Sequence, residues 1–430
     1  MTGEPFNAML VVKGVESVCG KAELLLQQWK GTSAAGGTTK NFIDAKFVKS
    51  QTTIWHNVVD PAYLIDGSST RTLLTHVPEA TPKEFEQAVA AAAEAYKTWR
   101  RTSIVRRHSC LVYSLPDRLQ NLLRENSDAI LVASSTILEQ GKTFASIQGD
   151  LLRGLQVISA ACDIPVALMG DTIKVSRDMD TSTRRLPIGV CASMTPFNFP
   201  ASLSHDSAVG LPVALATGST LILKPSERAP GVAMIIAELC EREHLPPGVL
   251  NIIHGTAPTV DAKGHQLRKR IYERRKTGKR VQANMAAKNY AVLMPDDMFH
   301  AAGQHCMAVS VGMLRVSFRQ TTILHGTSHL HRRCAITDEG VSDILDGRGR
   351  GYEVARYHNG IWIGGTVIEV TASMHRYHEV IFGPVLLILR ADTLDDTIDI
   401  VNANPFGNGA AISTQYNATA RRIENAVEVG

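Results

Sequence analysis

From Gly189 to Gly255 the chain repeats one pattern: a short apolar run, a loop carrying Pro, Ser or Gly, and a helical stretch. Gly189-Val190-Cys191-Ala192-Ser193-Met194 reads as a buried strand, Thr195-Pro196-Phe197-Asn198-Phe199-Pro200 as the loop after it, and Ser204–Leu215 as a helix. Ser219-Thr220-Leu221-Ile222-Leu223-Lys224 is the next strand. Pro225-Ser226-Glu227-Arg228 then opens a helix over Pro230–Glu243, and Leu250-Asn251-Ile252-Ile253-His254 is a third strand ending at Gly255. Strands alternating with helices require a parallel sheet, because each strand must be carried back by a crossover. Such sheets bind ligands beyond the carboxyl ends of their strands. The Asn198 and Lys224 loops both occupy that position.

The rest of the chain fits around this α/β frame. Gly-Thr-Ser-Ala-Ala-Gly-Gly-Thr-Thr at 31–39 has the composition of a flexible linker. Residues 41–48 form two short apolar runs about a turn, a hairpin signal. Thr81–Trp99 predicts an amphipathic helix with Thr81 as N-cap and Pro82 at its first position. Further helices are expected over Arg106–Glu125, Ser127–Gln140, Asp150–Ala161 and Thr393–Asn402. An exposed hairpin is expected within Ile173–Ile188. Strands are expected at Arg280–Ala283, Ala291–Met294, Ile361–Val370, Val385–Leu389 and Gly409–Ser413, and Val309–Val316 is an apolar run. Residues 319–360 show no periodicity.

Composition excludes several classes. The 430 residues carry a net charge of +4, too weak a basic balance for nucleic acid, and the basic residues form no stripe with interleaved aromatics. The densest cluster, Arg268 to Arg280, reads as a solvated helix face. Seven cysteines, widely spaced and without a CxxC, argue against a disulfide framework or a zinc site. The His325-His329-His331 and His375-His378 groups lack a convincing third ligand, so no metal is expected. No apolar run approaches the ~20 residues that span a bilayer. The first forty residues, with Glu4, Glu16 and Glu23, read neither as a secretory signal nor as an acid-poor transit peptide.

Three segments carry chemistry. Cys306, in Ala301-Ala302-Gly303-Gln304-His305-Cys306-Met307-Ala308, is a thiol beside a glycine turn; it is either a nucleophile or a small buried hydrophobe. Asn198 sits in an apolar Pro-Phe-Asn-Phe-Pro loop. Its amide N–H suits half of an oxyanion hole, with the backbone N–H of Cys306 as the other half. Lys224 and Glu227 flank a strand end beside a helix N-terminus, where they suit ribose hydroxyls; a surface turn capped by Ser226 and Glu227 is the other reading. No Gly-x-Gly-x-x-Gly follows the first strands, so a dinucleotide would be held without the usual fingerprint.

Together these segments resemble the aldehyde dehydrogenase superfamily, and within it the CoA-acylating branch that oxidises malonate and methylmalonate semialdehydes. The resemblance rests on residues 42–48, Leu138-Glu139-Gln140-Gly141-Lys142-Thr143, residues 149–157, Arg185 to Ala192, Pro196 to Ala201, Lys224-Pro225-Ser226-Glu227-Arg228, Leu250 to Gly255, Gly278 to Met285, Ala301 to Met307, Ile381-Phe382-Gly383-Pro384-Val385 and Asn404 to Gly409, all in the family's order. It implies an aldehyde dehydrogenase-like α/β fold: a Rossmann-type cofactor domain over 41–284 after a flexible 1–40, with an oligomerisation hairpin at 173–187. A catalytic domain follows over 285–415, and 416–430 begins a return to the cofactor domain. The strand that pairs across the family's dimer would lie beyond Gly430, leaving the oligomerisation element incomplete.

The same resemblance implies Cys306 as nucleophile and Asn198 as oxyanion donor. It places NAD against Thr195, Phe197, Lys224, Glu227, Arg228, Met285 and Phe382, and the substrate carboxylate on Arg153, whose planar fork suits a carboxylate. Coenzyme A would be the co-substrate, with acetyl-CoA or propionyl-CoA as product. The other partners implied are a small semialdehyde and a homo-tetramer, with no nucleic acid and no membrane. The compartment implied is the mitochondrial matrix, the alternative being the cytoplasm. Asn284 stands where hydrolytic members have a general-base Glu, as in the acylating branch.

The chain also departs from the family's pattern. Residues 260–267 are shorter than the family's strand and Gly-Ser turn, and residues 296–300 replace a helix. His305 replaces an Arg, and Val380 replaces the Glu of the nicotinamide ribose. A second expectation therefore stands beside the first: a catalytically impaired paralogue that at most binds nucleotide or a family subunit.

Overall fold

The run Thr220–Lys224 is hydrogen-bonded on both sides. It is the fourth strand of a five-stranded sheet ordered β3-β2-β10-β9-β8, where β2 is Asn41–Ile43, β3 Lys46–Val48, β8 Val190–Met194, β9 Thr220–Lys224 and β10 Leu250–Ile252. The computed structural model describes residues 37–64, 71–108, 139–140, 144–197, 209–242, 244–256, 288–297, 342–345, 366–378, 381, 385–407 and 409–429. The chain divides into two units after Thr256.

β8, β9 and β10 run parallel, and β2 joins β10 antiparallel through Ile252 and Phe42. Both faces of β9 are covered, as in a buried parallel strand. Side chains alternate across it. Leu221 and Leu223 enter the cluster that holds Val232, Ile235 and Leu239, whereas Ile222 joins Ala88 and Ala92. The first set comes from helix α6 (Gly231–Arg242) and the second from helix α1 (Pro82–Trp99). Burying each such Leu or Ile contributes about 1.5–3 kcal/mol.

α1 begins where its sequence says it should. Thr81 caps it, Pro82 is at the first turn, and Glu84 closes a capping box. The Glu84 carboxylate also accepts from the Ser50 hydroxyl and the Gln51 N–H, both at 2.9 Å, so the box pins the preceding loop as well. At the other end Trp99, 2% exposed, donates its indole N–H to the Leu215 carbonyl at 3.1 Å. Gly248 lets β10 approach α1: its φ is +76°, and a Cβ there would lie 2.5 Å from the Ala91 carbonyl oxygen.

Several sequence expectations need correction. β8, expected to be buried, is an edge strand of this sheet among the described residues, and Val190 and Met194 are exposed. The helix expected over Ser204–Leu215 is, in its described part, a π-helical turn at Val209–Val213 followed by helix α5 (Ala214–Thr217). Pro212 has no N–H for an α-helical bond, which accounts for the wider turn. Two short helices, α2 (Ile104–His108) and α4 (Ile164–Ala167), flank α5, and the longer helix α3 (Phe144–Cys162) precedes α4. The linker reading of 31–39 fails at its end: Gly37–Thr38 (β1) pairs in parallel with Arg71–Pro78 (β5), and the Thr39 hydroxyl is hydrogen-bonded to that of Thr75 at 2.9 Å. β5 in turn pairs antiparallel with Trp55–Leu64 (β4). An exposed hairpin of β6 (Thr172–Ser176) and β7 (Met179–Ser182) falls within the expected stretch. The features expected over 109–138, 280–283 and 309–316 lie outside the described residues.

In the second unit, β11 (Asn289–Leu293) pairs in parallel with β15 (Gly409–Ser413). Helices α7 (Leu394–Ala403) and α8 (Asn417–Ala426) cover this pair through Ile398 and Ile423, which meet Val292. A separate sheet joins β12 (Ser342–Leu345), β13 (Thr366–Glu369) and β14 (Val385–Ile388), with β13 and β14 parallel. Among the described residues no helix is long and apolar enough to cross a membrane.

Candidate active site

The register of the first sheet brings the loops after β8, β9 and β10 level with one another. Met194 lies beside Lys224, and the Ile253 N–H donates to the Leu223 carbonyl at 3.0 Å. Thr195–Phe197, Pro225–Arg228 and His254–Thr256 therefore emerge side by side at the carboxyl edge, the place where open α/β sheets take ligands. The Thr195 N–H donates to the Lys224 carbonyl at 3.0 Å, which ties the first two loops together.

Lys224 is the centre of this edge. Its ammonium donates to the carbonyls of Gly255 at 2.7 Å and Pro225 at 3.0 Å, and it lies 3.7 Å from the Glu227 carboxylate. Burial pushes the ammonium below the ordinary lysine range, opposed by the charges of Glu227 and Glu79. Two of its three N–H groups are used by carbonyls. The third, on a side chain 28% exposed, stands with the Glu227 carboxylate, 31% exposed, at the open edge. A donor and an acceptor at that spacing match the vicinal hydroxyls of a ribose, so these residues fit the nucleoside half of a dinucleotide. Arg228 extends the row. Its Nε is 3.9 Å from Glu227, and its guanidinium carbon lies 5.0 Å from the centroid of the Phe197 ring.

Two carboxylates missing from the sequence reading of the site support these loops. Glu79 accepts from the N–H and the hydroxyl of Thr256, both at 2.7 Å, and from His56 at 3.0 Å. Burial works to raise the Glu79 carboxyl, but the Thr256 and His56 bonds win and hold it below the usual range. Glu139, 7% exposed, accepts from the Gly231 N–H at 3.0 Å, placing a negative charge at the N-terminus of α6. Glu139 lies in a segment already singled out by resemblance; Glu79 adjoins the Thr81 cap and reads there as an ordinary acid beside a helix start. Beneath them lies His254, 2% exposed. Its backbone N–H donates to the Asn41 side-chain oxygen at 3.1 Å, and its Nε2 sits 3.1 Å from the Met234 sulfur. Burial, and then the Lys224 charge, depress its imidazole to about 3, so it is neutral at pH 7.

Of the site residues expected from sequence, the structure thus brings together Thr195, Phe197, Lys224, Glu227 and Arg228. Arg153 is exposed on α3. Asn198, Met285, Cys306 and Phe382 lie outside the described residues.

A sequence model of the aldehyde dehydrogenase family matches residues 61–320 and 327–430. The chain belongs to the aldehyde dehydrogenase family. It is an oxidoreductase of that family, with the family's α/β fold. It is 39% identical over 454 residues to the acylating, mitochondrial methylmalonate-semialdehyde/malonate-semialdehyde dehydrogenase of Rattus norvegicus, a match covering 93% of this chain and 81% of the rat protein. Among solved structures it resembles the methylmalonate-semialdehyde dehydrogenase of Oceanimonas doudoroffii, with a TM-score of 0.76 and 28% identity over 92% of this chain and 88% of that one. Aldehyde dehydrogenase C of Pseudomonas syringae, a C291A mutant solved with NAD+ and octanal, superposes with a TM-score of 0.72 at 25% identity, covering 91% and 87%.

Proposed function

We propose that this aldehyde dehydrogenase is NAD-dependent and CoA-acylating, and converts malonate or methylmalonate semialdehyde to acetyl-CoA or propionyl-CoA. The observation that carries the cofactor half is the Lys224–Glu227 pair, 3.7 Å apart at the carboxyl end of β9 and joined through Arg228 to the Phe197 loop. The likeness to an acylating rat enzyme along 93% of the chain supports the substrate half.

The chemistry follows from the residues in sequence. The Cys306 thiolate adds to the aldehyde carbon, forming a C–S bond and an alkoxide. The Asn198 side chain and the Cys306 backbone N–H offer hydrogen bonds to that oxygen, where negative charge develops. NAD, when bound, supplies the hydride acceptor, so the aldehyde carbon reaches the thioester level. Asn284 cannot deprotonate a water as a carboxylate would, so the thioester persists for thiolysis. The CoA thiolate then forms the new C–S bond, and Cys306 leaves as thiolate. The substrate's carboxylate departs as CO2, and its electron pair takes a proton at the adjacent carbon. Lys224, Glu227 and Arg228 hold the adenosine side, and Thr195 and Phe197 line the nicotinamide side. Met285 and Phe382 complete the cofactor contacts, and Arg153 meets the substrate carboxylate.

His305 and Val380, which replace an Arg and a Glu of the resembled pattern, favour a second reading in which nucleotide binds without turnover. One experiment separates the two. The purified chain is mixed with NAD, CoA and malonate semialdehyde while NADH absorbance is followed, and its melting temperature is measured with and without NAD. NADH formation abolished by Cys306→Ala supports the first reading. An NAD-induced rise in melting temperature without NADH supports the second. The absence of both signals sinks both readings.

A further inference from the structure

We infer that Glu79 is a positioning residue of the cofactor site, acting through Thr256 and Gly255 on Lys224; this deepens the proposed NAD reading and rests on it. Glu79 follows β5, outside the sheet that carries Lys224, yet Oε2 accepts both the N–H and the hydroxyl of Thr256 at 2.7 Å. The connection is doubled by the Ala80 N–H, which donates to the His254 carbonyl at 3.1 Å. The His254-Gly255-Thr256 segment is therefore gripped from outside its own sheet at both ends. Between the grips, the Gly255 carbonyl accepts the Lys224 ammonium at 2.7 Å, the shorter of that group's two carbonyl bonds.

Freedom at Gly255 makes the grip matter. A glycine without restraint samples conformations closed to other residues, and a carbonyl free to swing would release the ammonium from the edge. Space is restricted as well: a Cβ at Gly255 would lie 3.2 Å from Glu79 Oε1. The carboxylate thus packs against the turn while bonding to it. His56 fixes Glu79 from the other side at 3.0 Å, and His76, further along β5, is held by the Asn57 side chain at 2.9 Å. The chain of contacts runs His56, Glu79, Thr256, Gly255, Lys224 and ends at Glu227.

The test uses the full chain and two readouts. In the protein without cofactor, lysines are labelled biosynthetically with 13C and 15N and the Lys224 side-chain resonance is assigned with Lys224→Arg. Glu79→Ala is expected to move that resonance and lower its titration midpoint, while Glu79→Gln, which keeps an acceptor for Thr256, moves its position less. NAD affinity is then measured by calorimetry on unmodified protein. Glu79→Ala and Lys224→Ala are each expected to weaken binding about tenfold, and the double variant to be no weaker than Lys224→Ala alone, because Glu79 acts through Lys224. Should Glu79→Ala fail to fold, Thr256→Val removes one of the two Thr256 bonds and is expected to weaken NAD binding about two- to threefold. An unmoved Lys224 resonance, wild-type NAD affinity in a folded Glu79 variant, or additive losses in the double variant would overturn the inference. Unaltered NAD affinity in Lys224→Ala would instead overturn the cofactor reading beneath it, and the positioning role would fall with it.

Discussion

The guanidinium of Arg228 lies over the ring of Phe197, 5.0 Å from its centroid, and bridges the loop after β9 to the loop after β8. An exposed cation–π contact is worth about 0.5–1 kcal/mol. In the proposed site, Phe197 lines the nicotinamide side and directly precedes Asn198. Arg228→Ala should therefore raise the KM for NAD about two- to fivefold. Arg228→Lys should recover less than half of that loss, because an ammonium cannot stack as a planar guanidinium does. Steady-state kinetics on both, with Phe197→Leu to close a double-mutant cycle, check it. Additive losses would mean that the two loops are not coupled through this contact.

His254 gives the stability curve a recognisable acid limb. Its folded value, about 3, lies below the ordinary value of 6.5, so the unfolded chain binds the proton more tightly. Its neutral burial carries no penalty above about pH 6.5; stability falls as pH drops below that, until about pH 3. The slope approaches ~1.4 kcal/mol per pH unit for one such group. Glu79 and Glu84, both held below the usual 4.5, contribute stability that is present above pH 4.5 and lost only as pH falls through their lower folded values. The window from about pH 6 to about pH 5 is thus where His254 is seen apart from them. Urea midpoints across that window should fall in the wild type and flatten in His254→Asn. An equal slope in both would rule His254 out.

How much of this is visible in the sequence depends on how far apart the partners lie. Lys224 stands out because an apolar strand period stops at it and a Pro-Ser-Glu turn follows; both signals are local. Thr81, Pro82 and Glu84 announce α1 for the same reason. The Glu79–Thr256 bond spans 177 residues, and no spacing rule joins them. β4 escapes sequence reading because Asp60-Pro61 interrupts its run, and its pairing with β5 shifts register twice, between Val58 and Val59 and again before Leu64. α8 escapes it because its one buried residue is Ile423 and the other apolar positions of Asn417–Ala426 are alanines, a weak signal among polar residues. β8 misleads in the opposite direction: its small apolar residues are those of a buried strand, yet what covers a strand is decided by the rest of the chain.

Glu84 should matter more than a helix cap usually does. It is 5% exposed and accepts from the Ser50 hydroxyl, the Gln51 N–H and the Thr81 N–H at 2.8–2.9 Å. Glu84→Ala strands the buried Ser50 hydroxyl and two part-buried backbone N–H groups, and a buried donor left unpaired costs about 1–3 kcal/mol. A total loss of roughly 2–4 kcal/mol is expected, beyond the ~1 kcal/mol of an ordinary cap. Glu84→Gln, which keeps one carbonyl oxygen, should lose about half as much. Chemical denaturation at pH 7 measures both. A loss under ~1 kcal/mol for Glu84→Ala would show that water takes over the bonds.

Replacing either of two glycines by alanine gives opposite expectations from the same chemistry. Gly248 combines φ +76° with the Ala91 carbonyl oxygen 2.5 Å from where a Cβ would sit, and that oxygen belongs to the backbone of α1. Gly248→Ala must either push α1 away from β10 or abandon the left-handed turn. The turn alone costs about 1–2 kcal/mol, and displacing the packed helix adds to it. Its carbonyl also accepts from the Asn251 side chain at 2.8 Å, and Asn251 in turn accepts the Asp44 N–H at 3.0 Å, so a shift propagates to the β2–β3 hairpin. Gly149 sits exposed on α3, and a Cβ there would meet nothing within 4 Å, so alanine finds no obstacle. Gly149→Ala should stabilise by ~0.5–1 kcal/mol, as helix propensity and the reduced freedom of the unfolded chain both favour it. Thermal melts of the two variants should move in opposite directions from the wild type. A Gly248→Ala melt at or above the wild-type value would show that α1 does not rest on β10 at this point.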